Sequence, residues 1–392
     1  MRVVLAPDSF KGALSAVAAC EAMAEGLRRV LPQAELRAIP LADGGEGTAA
    51  ALVAASGGWL QSVPVCGPLP AERALVEGRL GWLAEGRVVV EMASASGLTL
   101  VSPERRNPLH TTSAGTGELI AAALAGGARE LIVGLGGSAT NDLGAGLAQA
   151  LGVVFRRGDG SPILEPLCGG RLAEVAGLDL TGLHPGLGRC RLELACDVDN
   201  PLLGAHGATA VYGPQKGASA AIAAELEAGM AHLIALVERA TGRRVSERPG
   251  AGAAGGAAAM LMALSGAEAR PGIDLLLAAS GFAAALVGAD LVITGEGRVD
   301  AQTLRGKAIR GVARAAAAAG VPVVVLAGEI GPGASALHEL GVTSLWSLVS
   351  GPMERAAAMA HAPELLANAA EQLARLLARL GDSGAAAAPG HA

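Results

Sequence analysis

Rings are scarce in this chain: three Phe, one Tyr and three Trp stand in 392 positions. Its apolar fraction of 51% comes instead from Ala, Gly, Val and Leu, which is too high for a disordered chain. Asn and Lys are rare as well, as expected of a genome biased against AT-rich codons. Places where the scarce types gather therefore rank first as candidate sites. Excess positive charge is also lacking. The formal net charge is −6 and no Lys/Arg block or basic stripe occurs, which argues against a nucleic-acid partner. The five Cys (20, 66, 168, 190, 196) include no CxxC pair and meet no His at metal spacing, so they read as small buried thiols in a reducing compartment. No basic and apolar leader opens the chain, and a cytoplasmic protein is expected. The longest apolar stretch, from Pro249 to Gly266, approaches the ~20 residues a bilayer span needs, but it is nearly all Gly and Ala; no membrane span is expected.

Several motifs are missing too. No GxxxxGK[ST] occurs, since the residue six before Lys307 is Ala301 and the one after is Ala308, so a P-loop is excluded. HRD and DFG are absent, which excludes a protein kinase. No GxGxxG opens the first helix, which weakens a dinucleotide-dependent dehydrogenase.

What is present is α/β grammar, over a length that suits roughly two or three domains. A strand at 2–6 leads to a helix with Val17, Cys20, Met23, Leu27 and Val30 on one face, stopped by Pro32. A second strand, AELRAIPLA, ends in DGGEG, and a helix TAAALVAAS stops at Gly57-Gly58. From about 61 to 102 short strands separated by turn residues predict antiparallel pairing. Helices are then expected at 118–125, from 143, and near 250–265, with strands at 131–135 and 192–196. From 289 the parallel grammar returns: ADLVITG, a helix over 303–319, VPVVVLAG, VTSLWSLV and a closing helix. These patterns predict two α/β domains with mainly parallel sheets.

The carboxyl ends of the strands carry polar, Gly-rich or acidic turns, where open parallel sheets bind ligands: PDSFKG, ADGGEGT, GLGGSATNDLGAG, CDVDNP and TGEGRVD. TTSAGTGEL reads as a further Gly-rich turn opening a helix at 118. Glycine lets backbone N–H groups approach an anion, and a following helix adds a partial positive charge. Ser113, Gly115, Thr116 and Gly117, with Gly136, Gly137, Ser138, Thr140 and Asn141, therefore suit phosphate oxygens. Acids share the geography: Asp43, Glu46, Asp142, Asp197, Asp199, Glu296 and Asp300. A carboxylate beside an anion cradle suits Mg²⁺ or receipt of a hydroxyl proton. The three lysines, 11, 216 and 307, all lie in Gly-containing loops or helix starts, where a compact ammonium suits a small anion.

In this order APDSFKG, ADGGEGT, SAGTGELI, GLGGSATND, ACDVDNPL, GPQKGA, PGAGAAGG and DLVITGEGRVDAQTLRGKA resemble the bacterial type I glycerate kinases, from Val4 to about Gly328. The resemblance implies ATP-dependent phosphorylation of D-glycerate, usually at the 2-hydroxyl. It implies a Rossmann-like domain made from both chain ends (1–60 and 286–380), an inserted α/β domain of mixed sheet (61–285), a flexible tail (381–392) and an active site in the cleft. Loop geography and resemblance together assign ATP phosphates to the turns at 113–117 and 136–141, and Mg²⁺ to Asp197 or to Glu296 and Asp300. Lys11 and Lys216 would neutralise the phosphoryl group or the glycerate carboxylate. Asp197, then Asp43, would receive the proton, and Asp8, Ser9, Glu46 and Asn200 would hold the acid. A homodimer, a glycerate 3-kinase and a non-catalytic organic-acid binder stay open. Two departures stand out: Leu143 where a small residue, often Gly, is usual, and Leu203 where Cys is frequent.

Overall fold

A computed structural model describes residues 1–42, 47–305 and 308–386. The chain divides into two compact units, one formed by Met1–Asp43, Ala54–Ser56 and Leu276–Ala392, the other by Gly44–Val53 and Gly57–Leu275. The sequence placed the boundaries at 60 and 285; here the N-terminal crossing falls at 43–57 and the return at 275.

The first unit is built on a five-stranded parallel sheet whose three central strands carry near-continuous apolar runs. Its order is Val342–Ser347, Val323–Ile330, Leu291–Val299, Arg2–Leu5 and Glu35–Ala38. Val3, Val4, Leu5, Val292 and Ile293 are fully buried, as strands covered on both faces must be. Ser15 caps the helix Ala16–Arg28 by accepting the Ala18 N–H, and the helix lays Met23 and Leu27 into a core shared with Leu366 and Leu373. The latter two belong to Ala362–Ala386, which continues into the stretch expected to be a frayed tail. Gly26 lets these helices approach closely, since a Cβ there would stand 2.0 Å from the Ala367 carbonyl oxygen. From Arg2–Leu5 the chain steps outward to Glu35–Ala38, whereas the C-terminal strands step the other way. The direction of winding therefore reverses between Arg2–Leu5 and Leu291–Val299.

The second unit holds a six-stranded mixed sheet in the order Glu268–Arg270, Arg191–Ala195, Glu130–Gly134, Arg87–Glu91, Leu75–Trp82, Trp59–Cys66. The first four strands are mutually parallel, and the last three form the antiparallel meander expected from the turn-rich stretch. A two-stranded pair, Val154–Arg156 with Gly177–Asp179, was not foreseen. Ala257–Ser265, buried from Ala257 to Leu264, fills the centre as only a helix apolar all round can. Ala220–Thr241 is long and apolar enough to cross a membrane by length and composition. Its Leu226, Met230, Leu233, Ile234 and Val237 make a buried stripe at helical spacing, the pattern of a core-facing helix.

Two expected helices differ in extent. The helix expected at 118 begins at Ala114, so AGTG is its first turn rather than a loop. The helix expected over 303–319 is a short 3₁₀ turn, Thr303–Arg305, followed by Ala308–Ala318.

Candidate active site

The loops leaving Arg2–Leu5 and Leu291–Val299 diverge at the reversal of the parallel sheet, the place where such sheets leave a crevice at their carboxyl edge. A pocket of about 420 Å³ occupies it. Asp8, Ser9, Phe10 and Lys11 line it from the first loop, Glu296, Gly297 and Arg298 from the carboxyl-terminal part of the strand Leu291–Val299, and Gly328 and Glu329 from the next strand. The turn is compact: the Phe10 N–H donates to the Leu14 carbonyl at 2.9 Å, and the Asp8 N–H donates to the Gly295 carbonyl at 2.9 Å, pinning loop to strand. Glycine is required where strand ends converge, because a Cβ on Gly328 would stand 2.6 Å from the Gly297 carbonyl oxygen. Lys11 is exposed at the pocket, whereas Asp8 and Glu296 are buried.

The sequence analysis singled out Asp8, Ser9, Lys11 and Glu296, and the structure gathers all four around this pocket. Asp300 lies in the same unit but is committed to its turn: one carboxylate oxygen accepts the Gln302 N–H at 2.8 Å and the other the Arg298 Nε–H at 2.9 Å. Glu296 accepts the Thr303 hydroxyl at 2.8 Å. Arg298 also pairs with Glu329 at 3.2 Å. Among the described residues no group of three or more His, Cys, Asp or Glu is arranged to hold a metal ion. Mg²⁺ takes only one or two carboxylates when phosphate and water supply the remaining oxygens, and a pocket-lining Glu296 with Asp8 fits that need better than Asp300 does. Asp43, Glu46 and Lys307 lie outside the described residues.

In the other unit the Gly-rich segments serve mostly to close the fold. Ser113, Gly115, Thr116 and Gly117 are buried. A Cβ on Gly115 would stand 2.0 Å from the Cys66 carbonyl oxygen, and one on Gly117 2.4 Å from that of Leu147. The Thr116 hydroxyl donates to Ser96 at 2.9 Å. Asp142 ties two loops together, accepting the Ser113 N–H at 2.8 Å, its hydroxyl at 2.7 Å, and the N–H groups of Gly144 and Gly146. Burial pushes its carboxyl above the ordinary value, and those hydrogen bonds work against the shift. The Asn141 amide donates to Thr209 at 2.8 Å inside the core. Only Gly136 and Gly137 of the 136–141 turn reach solvent, Gly137 in the left-handed region at φ 71°.

Lys216 is just 2% exposed. Its ammonium donates to the Ser138 hydroxyl at 3.0 Å and the Thr140 carbonyl at 2.6 Å, so it braces the 136–141 turn from beneath. Burial pulls its pKa down to about 8, with Asp142 pulling the other way. Leu143 is fully buried in the left-handed region at φ 54°, its N–H donating to Gly255 at 3.0 Å. That conformation is the physical reason why a glycine suits this position. At the end of Arg191–Ala195, Asp197 is exposed and accepts the N–H of Gly272, the first residue of the helix Gly272–Ala279, at 2.7 Å. Asn200 bridges the His206 carbonyl and the Tyr212 hydroxyl, at 2.8 and 2.6 Å. Glu91, which sequence reasoning passed over, is buried and accepts the Ala49 N–H at 2.5 Å at the start of Thr48–Ser56. Its signal was an acid ending the apolar strand RVVVE.

Fold and site define an α/β protein of two units, each with polar loops gathered at the carboxyl edge of its sheet. The chain belongs to the glycerate kinase family, whose model matches residues 3–378. It is 46% identical to a glycerate kinase from Halalkalibacterium halodurans over 95% of this chain and 97% of that one. A glycerate 2-kinase from Escherichia coli is 42% identical over 89% of this chain and 91% of that one. A crystal structure provisionally assigned as glycerate kinase 2, from Salmonella typhimurium LT2, matches with TM-score 0.87 and 41% identity, over 98% of this chain and 99% of that one.

Proposed function

We propose that this chain transfers the γ-phosphoryl group of ATP to the 2-hydroxyl of D-glycerate, giving 2-phosphoglycerate and ADP. The observation that carries the reading is the pocket at the strand reversal, with an exposed ammonium from Lys11 and buried carboxylates from Asp8 and Glu296. In the transfer, a bond forms between the substrate oxygen and the γ-phosphorus, and the bond from that phosphorus to the β,γ-bridging oxygen breaks. The developing charge sits on phosphoryl oxygens, so positioned cations and dipoles do most of the catalytic work. Lys11 is the cation assigned to the phosphoryl oxygens or to the carboxylate of the acid. Bound Mg²⁺ supplies further charge neutralisation, and Glu296 with Asp8 would hold it. Ser9 donates to the acid.

Asp197 is the group assigned to receive the hydroxyl proton. Of the expected phosphate cradle, only Gly136 and Gly137 reach solvent, because the remaining members are buried in the fold. Lys216 becomes a positioning residue for this turn. An ATP-dependent enzyme with five free thiols fits a reducing, nucleotide-rich compartment such as the cytoplasm.

The test is ADP release from purified protein with D-glycerate and MgATP, followed by phosphorus NMR of the product. A 2-phosphoglycerate resonance is expected. A 3-phosphoglycerate resonance would replace the regiochemistry, and no ADP above background would leave an organic-acid binder.

A further inference from the structure

The pocket carries a wall that a three-carbon acid has no use for. Phe10, Leu348, Met353, Met359 and Leu365 line it together with the charged groups of Asp8, Lys11, Glu296, Arg298, Glu329 and Arg355. At about 420 Å³ it lies in the range of sites that enclose drug-sized molecules, several times larger than glycerate. The chain has only three Phe and eight Met, and this wall takes one Phe and two Met. Met359 is seated by a specific feature of the first loop: Gly12, in the left-handed region at φ 80°, leaves its Cβ direction empty, and a Cβ there would stand 2.9 Å from Met359 Cε. Thioethers are polarisable and adapt to a flat aromatic partner, which makes Met a suitable lining for a heterocycle. Met353, also in the lining, is 44% exposed.

A ligand matching this mixed lining has both a flat apolar body and anionic groups. The location agrees, since open parallel sheets bind nucleotides where their strand order reverses. We infer that the adenine and ribose of the nucleotide lie against the wall formed by Phe10, Met353, Met359 and Leu365, with the phosphates directed toward Lys11. This rests on ATP being the phosphoryl donor. It moves nucleotide binding away from the segment 113–117, whose donors are occupied inside the fold.

The experiment is calorimetric titration of the full-length protein with MgADP in the absence of glycerate, with phosphate-free adenosine as a competitor. Wild type, Met359→Ala and Met353→Glu are compared, and circular dichroism melts verify that each is folded. Met353→Glu changes an exposed residue and so keeps the test open if Met359→Ala fails to fold. The expected result is that adenosine competes with ADP and that each substitution weakens ADP binding by about tenfold, with KM for D-glycerate within about twofold of wild type. ADP affinity unchanged in both folded variants would overturn the inference. So would a raised glycerate KM at unchanged ADP affinity, or a wild type that binds no ADP. If the substitutions weaken ADP binding as expected but D-glycerate elicits no ADP release, the pocket assignment stands and the phosphoryl-transfer reading falls.

Discussion

Lys11 and Lys216 are two of only three lysines, yet the fold gives them opposite surroundings. Lys11 is exposed, and a surface substitution of this kind changes stability by no more than about 0.5 kcal/mol. Lys11→Ala should therefore melt with wild type while kcat/KM for glycerate falls on the order of 100-fold, the usual loss when a charge-stabilising donor is removed; activity near wild type would remove Lys11 from the mechanism. Lys216 is buried with its pKa drawn down to about 8 from an ordinary 10.5. The unfolded chain thus binds more protons between those values, and the contribution of Lys216 to stability rises with pH across that window and is flat below it. Folded Lys216→Met should lack that rise, which melting curves from pH 7 to 10.5 would show. Asp197→Asn should lower kcat more than ADP affinity, whereas equal losses would point to a structural role, to which its contact with Gly272 belongs. Residue rarity was enough to pick out both lysines in the sequence. It carries no information on burial, because exposure is set by which elements close over a loop.

The elements were legible wherever a strand is covered on both faces. RVVL, ELIVG, LVITG and VVVLAG are runs of apolar residues that no other arrangement buries, and each is a strand. Glycine was harder to read. In AGTG the glycines suggested a turn because Gly permits one, but they are helical because backbone passes within reach of where a Cβ would be. One residue type serves both purposes, and only the neighbour in space decides. Gly115→Ala should accordingly destabilise the protein by roughly 2 kcal/mol or more, since the clash with the Cys66 carbonyl outweighs the gain in helix propensity. Denaturant titration checks this. Leu143→Gly should also destabilise: relief of about 1–2 kcal/mol of left-handed strain is smaller than the loss of a fully buried Leu. The Met-lined wall had no sequence signature, because Phe10 and Met359 meet across more than three hundred residues of chain.

Across the whole molecule the five thiols report on integrity. All are free, four are buried, and burial raises Cys20 to about 12 and Cys190 to about 11. The native protein should react slowly with a thiol reagent, half-buried Cys66 first, and release all five groups only on unfolding. Rapid labelling of Cys20 in native buffer would contradict the packing. The central place of the first strand has a consequence for biosynthesis. Arg2–Leu5 leaves the ribosome well before one of its two flanking strands, Leu291–Val299, which is translated nearly three hundred residues later. Until then Val3, Val4 and Leu5 present an unsatisfied edge, so nascent chains stalled before codon 291 should draw holdase chaperones and digest faster than those released at full length.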